Sequence, residues 1–474
     1  MLELFGRIYA WAVSLLERAG VIERERLHST VDLAWPRVVT GFAIMSKQTA
    51  DLAMVGIVLG APAVAGLAFA GAYWTVGKFV AIGLAGGTVS LVSQNYGGNK
   101  SSRAALVVKQ SLWVALVLAV PIVAFYILFA ESLIGLLSSN PTAVGHGMMY
   151  LVVVAPALLF EFLNMIASRT YAGIGDTFTP MVIRAGGAVL NILLSGVLIF
   201  GAGLGVAGAA LGTAISVAAV TFVFSWGMFG RSYFGHGASP VPLKLSGPQF
   251  DMELARQLVS ISTPLVARRL AEGLVTFPLL AIADSFGTEA VAALEVGRRV
   301  RNLANSITWG FSIAASTLVG QRLGRGEEAA AEAYGREIIQ LSLVVYLFVA
   351  AGVGLFAEPI AQVFVDEPEA ITLTTSFVIV AAVSLIPLGV DGSATGVLRG
   401  AGDTRIPFYA SLVGLYVFAL PMAYLGVITP LGITALFVAL VLETAVPASI
   451  TVWRFQTGSW KAVSRAYRPG SSEA

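Results

Sequence analysis

The chain contains the same pattern twice, which restricts it to folds built from two similar units. Residues 57–210 align with residues 284–437 without a gap, at an offset of 227 positions (284 − 57). A duplicated, apolar chain is the usual build of a secondary transporter, with the transport route between the copies. Identical residues coincide in this register, namely Gly60 with Gly287, Gln94 with Gln321, Gly97 with Gly324, Gly173 with Gly400, Asp176 with Asp403, Pro180 with Pro407 and Gly205 with Gly432.

The composition indicates a membrane protein. Only 12% of the residues are charged, against roughly 25% in a soluble domain, and so few charges cannot cover a soluble surface of this size. A spanning helix needs about 20 apolar residues. We therefore predict an all-α membrane protein with twelve transmembrane helices in two pseudo-symmetric six-helix bundles. The predicted spans are residues 33–57, 64–93, 104–130, 147–171, 180–202, 205–229, 257–283, 293–320, 338–364, 372–398, 407–428 and 432–454.

The basic residues predict the orientation of the spans. Lys and Arg occur in alternate loops, and the opposite loops contain none. By the positive-inside rule, both termini are cytoplasmic, in a multi-pass protein of the plasma membrane. Residues 1–27 are predicted to form an amphipathic helix, which lies either on the inner leaflet or against the first span. The predicted organisation is an amphipathic N-terminal segment (1–30), a first lobe (31–230), a cytoplasmic linker (231–256), a second lobe (257–455) and a cytoplasmic tail (456–474).

Charged residues inside the spans are the functional candidates, because each costs about 3 kcal/mol in a bilayer unless it faces water or a partner. Lys47 and Asp51 are one turn apart on the first span, and Arg268 and Glu272 on the seventh, so each pair is spaced for an i,i+4 contact. Desolvation and a neighbouring cation act in opposite senses on a buried carboxyl, so Asp51 and Glu272 are candidates for exchanging a proton or a sodium ion. Internal salt bridges between helices are the alternative interpretation.

Other polar residues are predicted to line a cavity or to act as hinges. An arginine-lined cavity would repel organic cations, so an anionic or zwitterionic substrate is an alternative to a cationic one. The predicted cavity residues are Glu161 and Asn164 on the fourth span, Arg268 and Arg269 on the seventh, and Arg298, Arg299 and Arg301 on the eighth. The predicted hinge loops contain Gly173, Gly175, Gly400 and Gly402.

Several functional classes are disfavoured. The chain has no cysteine, which excludes disulfides, zinc–cysteine sites and thiol catalysis. We find no nucleotide-binding motif, and the three histidines lie in predicted loops or termini. We therefore expect neither an enzyme nor a metal or cofactor site beyond a coupling H⁺ or Na⁺. The expected partners are a small-molecule substrate and membrane lipid, without nucleic acid, and we expect a monomer.

The chain resembles the multidrug and toxic compound extrusion (MATE) family over residues 31–455. The motifs that resemble it are Asp51-Leu52-Ala53-Met54-Val55-Gly56, Leu91-Val92-Ser93-Gln94, Leu318-Val319-Gly320-Gln321, Leu398-Arg399-Gly400-Ala401-Gly402-Asp403-Thr404 and its twin Tyr171-Ala172-Gly173-Ile174-Gly175-Asp176-Thr177. The resemblance implies two six-helix lobes arranged as a V around a central cavity. It also implies multidrug efflux driven by exchange with a cation.

The resemblance implies a coupling site in the first lobe. The family's first-helix carboxylate falls on Asp51, its fifth-helix Asn on Asn191 and its sixth-helix Thr on Thr213. Ser195 stands where a second Asp usually follows. Loss of that carboxylate favours a proton over sodium, since hard cations prefer several oxygen ligands, and Lys47 could replace the bound cation in the empty site.

The resemblance implies a second acidic site in the other lobe. The seventh-helix Glu of the family falls on Glu272. The usual tenth-helix Asp falls on Leu388, and Asp391 lies one turn nearer the loop, where it could face the same cavity. We therefore predict a secondary active antiporter that exchanges protons or sodium for small amphipathic organic substrates by alternating access. The alternative is a flippase for lipid-linked precursors, whose pyrophosphate would suit an arginine-lined cavity.

Overall fold

The computed structural model describes residues 13–233, 238–244 and 246–467, and within these ranges the chain is almost entirely helical. Twelve helical spans follow one another as the sequence predicts. The first six are Arg24–Leu59, Ala61–Gly97, Ser101–Leu128, Pro141–Val154 with Ala157–Ile174, Phe178–Gly196 with Val197–Gly201, and Gly205–Met228. The second six are Met252–Leu274 with Thr276–Asp284, Thr288–Gly324, Glu328–Leu355, Pro368–Gly400, Arg405–Leu412 with Val413–Ala419 and Leu420–Ile428, and Ile433–Gln456.

Most of these spans are recognisable as membrane helices from length and composition alone. In the described part of the chain, nine helices are long and apolar enough to cross a membrane. A tenth is obtained if the fourth span, which bends by 53° between its two helices, is counted as one. The seventh and eighth spans are not in this set; several charged residues lie near the middle of the seventh and in the first half of the eighth. Several of these charges have the partners described below, which lowers the cost of placing them in a bilayer.

The internal repeat is also a repeat of helix boundaries. The second span (Ala61–Gly97) and the eighth (Thr288–Gly324) each have 37 residues, and their first residues differ by 227 (288 − 61). The third (Ser101–Leu128) and ninth (Glu328–Leu355) each have 28 residues at the same offset (328 − 101). The two halves are therefore pseudo-symmetric six-helix bundles, as the sequence predicts.

The two copies differ where helices are interrupted. The fourth span is broken beside Pro156, whereas its counterpart, Pro368–Gly400, is continuous through Pro387. The fifth and eleventh spans contain π-helical stretches at Val197–Gly201 and Val413–Ala419. Such stretches are rare and frequently lie at functional sites.

The described residues divide into two compact units, one within residues 36–266 and one within residues 267–474 together with the described residues up to Trp35. Small residues allow the helices of the first unit to approach closely, as is common in membranes. A Cβ on Gly66 would lie 2.5 Å from the carbonyl oxygen of Ala143. A Cβ on Gly83 would lie 2.4 Å from the Val266 side chain. Larger side chains at these positions would separate the second span from its neighbours.

The N-terminal segment packs on the second unit. The continuous helix predicted over 1–27 is wrong in its described part, because the helix ends near Gly20 (φ +68°) and a new one begins at Arg24. Residues 1–12 lie outside the described residues. Ile22 is 2% exposed and belongs to the same apolar cluster as Trp460, so the end of this segment packs against the C-terminal part of the chain. Leu15, on the predicted apolar face, is 51% exposed, and the position of that face on the inner leaflet stays a prediction.

Candidate functional site

The first unit contains a buried carboxylate with uncharged partners. Asp51, on the first span, is 5% exposed. Its Oδ2 lies 3.3 Å from the Thr213 hydroxyl of the sixth span, which donates to it. In the amide orientation that satisfies both of its groups, Asn191 of the fifth span donates to the same oxygen over 3.3 Å and accepts from the Thr213 backbone N–H over 3.1 Å. The structure thus brings together three residues that are far apart in sequence.

Close packing of two helices positions this group. Asn191 and Ser195 are one turn apart and therefore share a face of the fifth span; both are fully buried. The Ser195 hydroxyl lies beside Asp51. Gly212, next to Thr213, approaches the Ser195 backbone so closely that a Cβ there would lie 2.9 Å from its nitrogen. The missing side chain at 212 therefore sets the separation of the fifth and sixth spans at the carboxylate.

A tyrosine completes the group and was not predicted. The Tyr150 hydroxyl, on the fourth span, faces Thr213 and lies near Asp51. The sequence around Tyr150 is an ordinary apolar run, and no spacing rule connects it to the first span. The expected i,i+4 pair between Lys47 and Asp51 is not formed: in the described residues, no carboxylate lies within ion-pair distance of Lys47.

A second group of charges lies in a cavity inside the first unit. The cavity is open on one side and offers about 50 Å³ to the centre of a water-sized molecule. Glu161 accepts a hydrogen bond of 2.8 Å from Arg184, and both side chains are less than 10% exposed. The lining residues are Ile44, Lys47, Gln48, Trp74, Lys78, Glu161, Asn164, Arg184, Gly187, Ala188, Ser216, Val217 and Val220. The predicted cavity residues Glu161 and Asn164 thus share a wall with Lys47 and with Arg184, which was not among the predicted residues.

Charged residues of the second unit form a connected network. Arg268 donates to Glu272 over 2.8 Å and to Asp391 over 2.5 Å. Arg269 donates to the other Glu272 oxygen over 2.8 Å, and Thr451 donates to Asp391 over 3.0 Å. Glu272 and Asp391 are therefore brought together by a shared arginine. Unlike Asp51, each of these carboxylates has a guanidinium as a direct partner.

The arginines of the eighth span have three different environments. Arg301 pairs with Glu443 of the twelfth span over 2.8 Å. Arg298 donates to the Thr276 hydroxyl over 2.8 Å, and Arg299 is exposed. The five predicted arginines are therefore not one arginine-lined surface, because Arg301, like the two on the seventh span, is neutralised by a carboxylate. Glu443 was missed, although an acid in an apolar span is itself a signal.

The predicted hinge glycines have two packing roles. Gly175 and Gly402 have φ of +97° and +84°, a left-handed conformation that favours glycine at a helix end. Gly173 and Gly400 lie at helix contacts, where a Cβ would be 2.9 Å from the Val92 side chain and 2.7 Å from the Ser316 carbonyl oxygen, respectively. The backbone conformation at two positions and the close contacts at the other two explain the four glycines. Bending of the chain at these loops stays a prediction.

Comparison with known proteins identifies the family. A family model described as MatE matches the chain twice, at residues 36–197 and 264–425. Each match has 162 residues (197 − 36 + 1 and 425 − 264 + 1), so together they cover more than half of the chain. The two matches begin 228 positions apart (264 − 36), within one position of the offset of the internal repeat.

Relatives and solved structures agree with this match. The chain is 29% identical to the "Probable multidrug resistance protein NorM" of Rhodopseudomonas palustris over 91% of this chain and 92% of the relative. It is 24% identical to the "FAD transporter" of Shewanella oneidensis over 86% and 90% of the two chains. A solved structure described as the "Outward-facing conformation of a multidrug resistance MATE family transporter of the MOP superfamily" aligns with a TM-score of 0.84 at 21% identity, over 92% of this chain and 96% of that one. At this identity the structural likeness shows the fold alone.

The internal repeat, the paired six-helix bundles and the doubled match lead to one conclusion. The motifs around Asp51 and around the two Gly-X-Gly-Asp-Thr loops lie in the matched ranges. This chain belongs to the MATE family, whose members are membrane transporters and not enzymes.

Proposed function

We propose that this chain is a secondary active antiporter that exports small amphipathic organic substrates in exchange for protons, with Asp51 as the proton-carrying group. The observation that supports this most strongly is the set of partners around Asp51. Hydroxyl and amide groups surround it, including those of Thr213 and Asn191. By contrast, Glu161 and Glu272 each contact an arginine within 2.8 Å. Charge at Asp51 is therefore not neutralised by a fixed partner.

Protonation would change the hydrogen bonds that hold three helices together. A buried charge without an ionic partner is costly, and protonation of Asp51 removes that charge. The carboxylate accepts from Thr213 and Asn191, whereas the carboxylic acid also donates. The change alters the preferred packing of the first, fifth and sixth spans. Two such packings, exposed in turn to the two sides of the membrane, amount to alternating access.

A proton is favoured over sodium because the described residues around Asp51 provide a single carboxylate, that of Asp51 itself. The other oxygens at hand are the neutral ones of Asn191, Ser195 and Thr213. A hard cation needs several oxygen ligands at once, and those with charge bind it most strongly. A proton needs a single carboxylate. No cofactor is needed for this exchange, since the proton gradient supplies the free energy.

The setting of the proposed antiporter follows from charge distribution and from its relatives. The basic loops support a plasma-membrane protein with both termini cytoplasmic, and we propose a monomer with first and second lobes at residues 31–230 and 257–455. Relatives named for multidrug resistance and for FAD transport support small organic molecules with aromatic rings as substrates. A lipid-linked precursor flippase remains the alternative function.

The experiment is substrate uptake into proteoliposomes of defined orientation. A pH gradient alone should drive ethidium or 1-naphthyl phosphate uphill, and a sodium gradient alone should not. Asp51→Asn should abolish uphill movement, whereas Glu131→Gln, which neutralises an exposed carboxylate, should leave it unchanged. Sodium-driven uptake would contradict proton coupling, and flipping of a labelled lipid without movement of either probe would favour the flippase.

A further inference from the structure

The cavity inside the first unit has an excess of positive charge that the exchange of a proton at Asp51 does not use. Lys47, Lys78 and Arg184 line it from three different spans. Among the described residues that line the cavity, one has a carboxylate, namely Glu161. Three positive charges and one negative charge leave a net charge of +2 (3 − 1) on the cavity wall. Arg37 lies close enough to interact electrostatically with both Arg184 and Glu161.

Pairing inside the cavity leaves hydrogen-bond donors available. One terminal nitrogen of Arg184, Nη2, donates to the Glu161 carboxylate over 2.8 Å. The other terminal nitrogen, Nη1, has no hydrogen-bond partner within the described residues. It is buried, and the Arg184 side chain is 9% exposed. In the same part of the chain, neither Lys47 nor Lys78 has a carboxylate within ion-pair distance. A buried donor without an acceptor is costly, so a bound acceptor would be stabilising here.

The other lining residues suit the body of an organic molecule. Trp74, Ile44, Val217 and Val220 give the cavity an aromatic and aliphatic surface beside the charged groups. A guanidinium matches the oxygens of a carboxylate or phosphate, and ammonium groups bind phosphate as point charges. An organic cation would meet a repulsive potential at the same wall, since the Glu161 carboxylate is already engaged by Arg184.

We propose that this cavity binds the phosphate or carboxylate group of an amphipathic organic anion through Lys47, Lys78 and Arg184. The ring or alkyl part of the anion contacts Trp74 and the neighbouring valines. The inference rests on the proposed antiport function in one respect: the bound anion is a transported substrate. It narrows the substrate class from small amphipathic organic molecules in general to organic anions.

Two probes with one ring system and opposite charges test the charge preference. Calorimetry on the purified full chain would compare 1-naphthyl phosphate with 1-naphthylmethylammonium. The phosphate should bind at least about tenfold more tightly than the ammonium, because the wall attracts the first and repels the second. Tighter binding of the ammonium probe would overturn the proposal.

Variants connect the binding to the named residues. Lys47→Met and Lys78→Met should each weaken phosphate binding by about tenfold or more, since each removes one unit of attraction in a partly desolvated cavity. Glu161→Gln should strengthen it, because the cavity wall then loses its negative charge. Lys244→Met, at an exposed linker lysine, is the matched control and should change nothing. Unchanged affinity in both cavity lysine variants, with the fold intact by gel filtration, would contradict the assignment.

The source of the anionic group is decided by competition. Phosphatidate added to the protein presents the same chemistry on a lipid. Displacement of 1-naphthyl phosphate by phosphatidate supports an anion site that serves a lipid headgroup. Lack of displacement, with binding still dependent on Lys78, supports one that serves a soluble organic anion.

The proposed function and this site fail in different ways. Asp51→Asn should still bind 1-naphthyl phosphate in a manner that depends on Lys47 and Lys78, and should lose its proton-driven uptake. If the lysine variants keep full affinity while Asp51→Asn loses uptake, the anion site is wrong and the antiport proposal stands. If the lysine variants lose affinity while Asp51→Asn still moves the probe uphill with protons, the anion site stands and proton transfer at Asp51 is wrong.

Discussion

At the scale of single residues, the neighbours of a buried charge decide what it can do. The sequence predicted Asp51 and Glu272 as equivalent candidates, because spacing along a helix reveals a charge in the membrane and nothing about distant partners. In the structure Asp51 meets a hydroxyl and an amide, whereas Glu272 meets two arginines of its own span. Arg184 of the fifth span was missed because its role depends on Glu161 of the fourth span, which is 23 residues away in sequence.

Neutralising Glu272 should affect stability more than coupling. Glu272→Gln leaves Arg268 and Arg269 without their shared carboxylate. Removing one partner of a buried pair costs about 3–5 kcal/mol, and the cost should be smaller here because the Glu272 side chain is 29% exposed. We expect a lower melting temperature in detergent with proton-driven uptake retained. An unchanged melting temperature together with loss of coupling would show that Glu272, as the sequence suggested, exchanges the proton.

The pair of Arg184 and Glu161 predicts a rescue. Glu161→Gln removes a charge and keeps a hydrogen-bond acceptor, whereas Arg184→Met leaves the carboxylate buried and unpaired at a cost of about 3–5 kcal/mol. Adding Glu161→Leu to Arg184→Met should restore most of that stability, since well-packed apolar residues often replace a buried ion pair without loss. Thermal unfolding followed by gel filtration measures all three. A double variant less stable than Arg184→Met would show that the pair is not mutually compensating.

At the scale of helices, periodic apolar stretches predicted where the spans run but not where they are interrupted. The order and approximate limits of all twelve followed from length and hydrophobicity. The break beside Pro156 and the π-helical stretch Val197–Gly201 were not predicted, and other prolines inside spans, such as Pro387, cause no break. Interruptions depend on which neighbours satisfy the freed backbone groups, which a single sequence does not contain.

The contact between the fifth and sixth spans gives a test at this scale. A Cβ on Gly212 would lie 2.5 Å from the Ser195 hydroxyl oxygen and 2.9 Å from its backbone nitrogen, so Gly212→Ala must push the spans apart. Overpacking of this kind costs about 1–3 kcal/mol, and we expect proton-driven uptake to fall strongly with Asp51 intact.

Gly186→Ala is the matched control on the fifth span. A Cβ at Gly186 meets nothing within 4 Å, so alanine should stabilise the helix by about 0.5–1 kcal/mol and leave uptake unchanged. Equal activity of the Gly212 and Gly186 variants would mean that the spacing of these helices does not matter for coupling.

At the scale of the whole molecule, the internal repeat predicted two similar bundles because a duplicated sequence has duplicated packing preferences. It did not predict that the described residues up to Trp35 pack with the second half. The ion pair of Arg26 with Glu337 joins residues 311 positions apart, a separation at which sequence pattern is silent. The lobe limits of 31–230 and 257–455 stay predictions.

The absence of cysteine allows a clean test of the proposed topology. Single cysteines at the exposed positions Ser102, Ser459, Ser139 and Asp366 report on the loops of both halves. Ser139 and Asp366 correspond in the repeat (366 − 139 = 227). An impermeant maleimide added to intact cells should label Ser139→Cys and Asp366→Cys only. Labelling of one of these two without the other would mean that the halves do not enter the membrane in the same direction.

The most direct test is proton release from the purified protein in weakly buffered detergent solution when substrate is added. If Asp51 exchanges a proton for substrate, the wild type should release about one proton per chain at a pH where Asp51 is protonated, Glu272→Gln should release a similar amount, and Asp51→Asn should release none. Proton release that persists in Asp51→Asn, or that disappears in Glu272→Gln instead, would contradict the assignment of Asp51 as the coupling group.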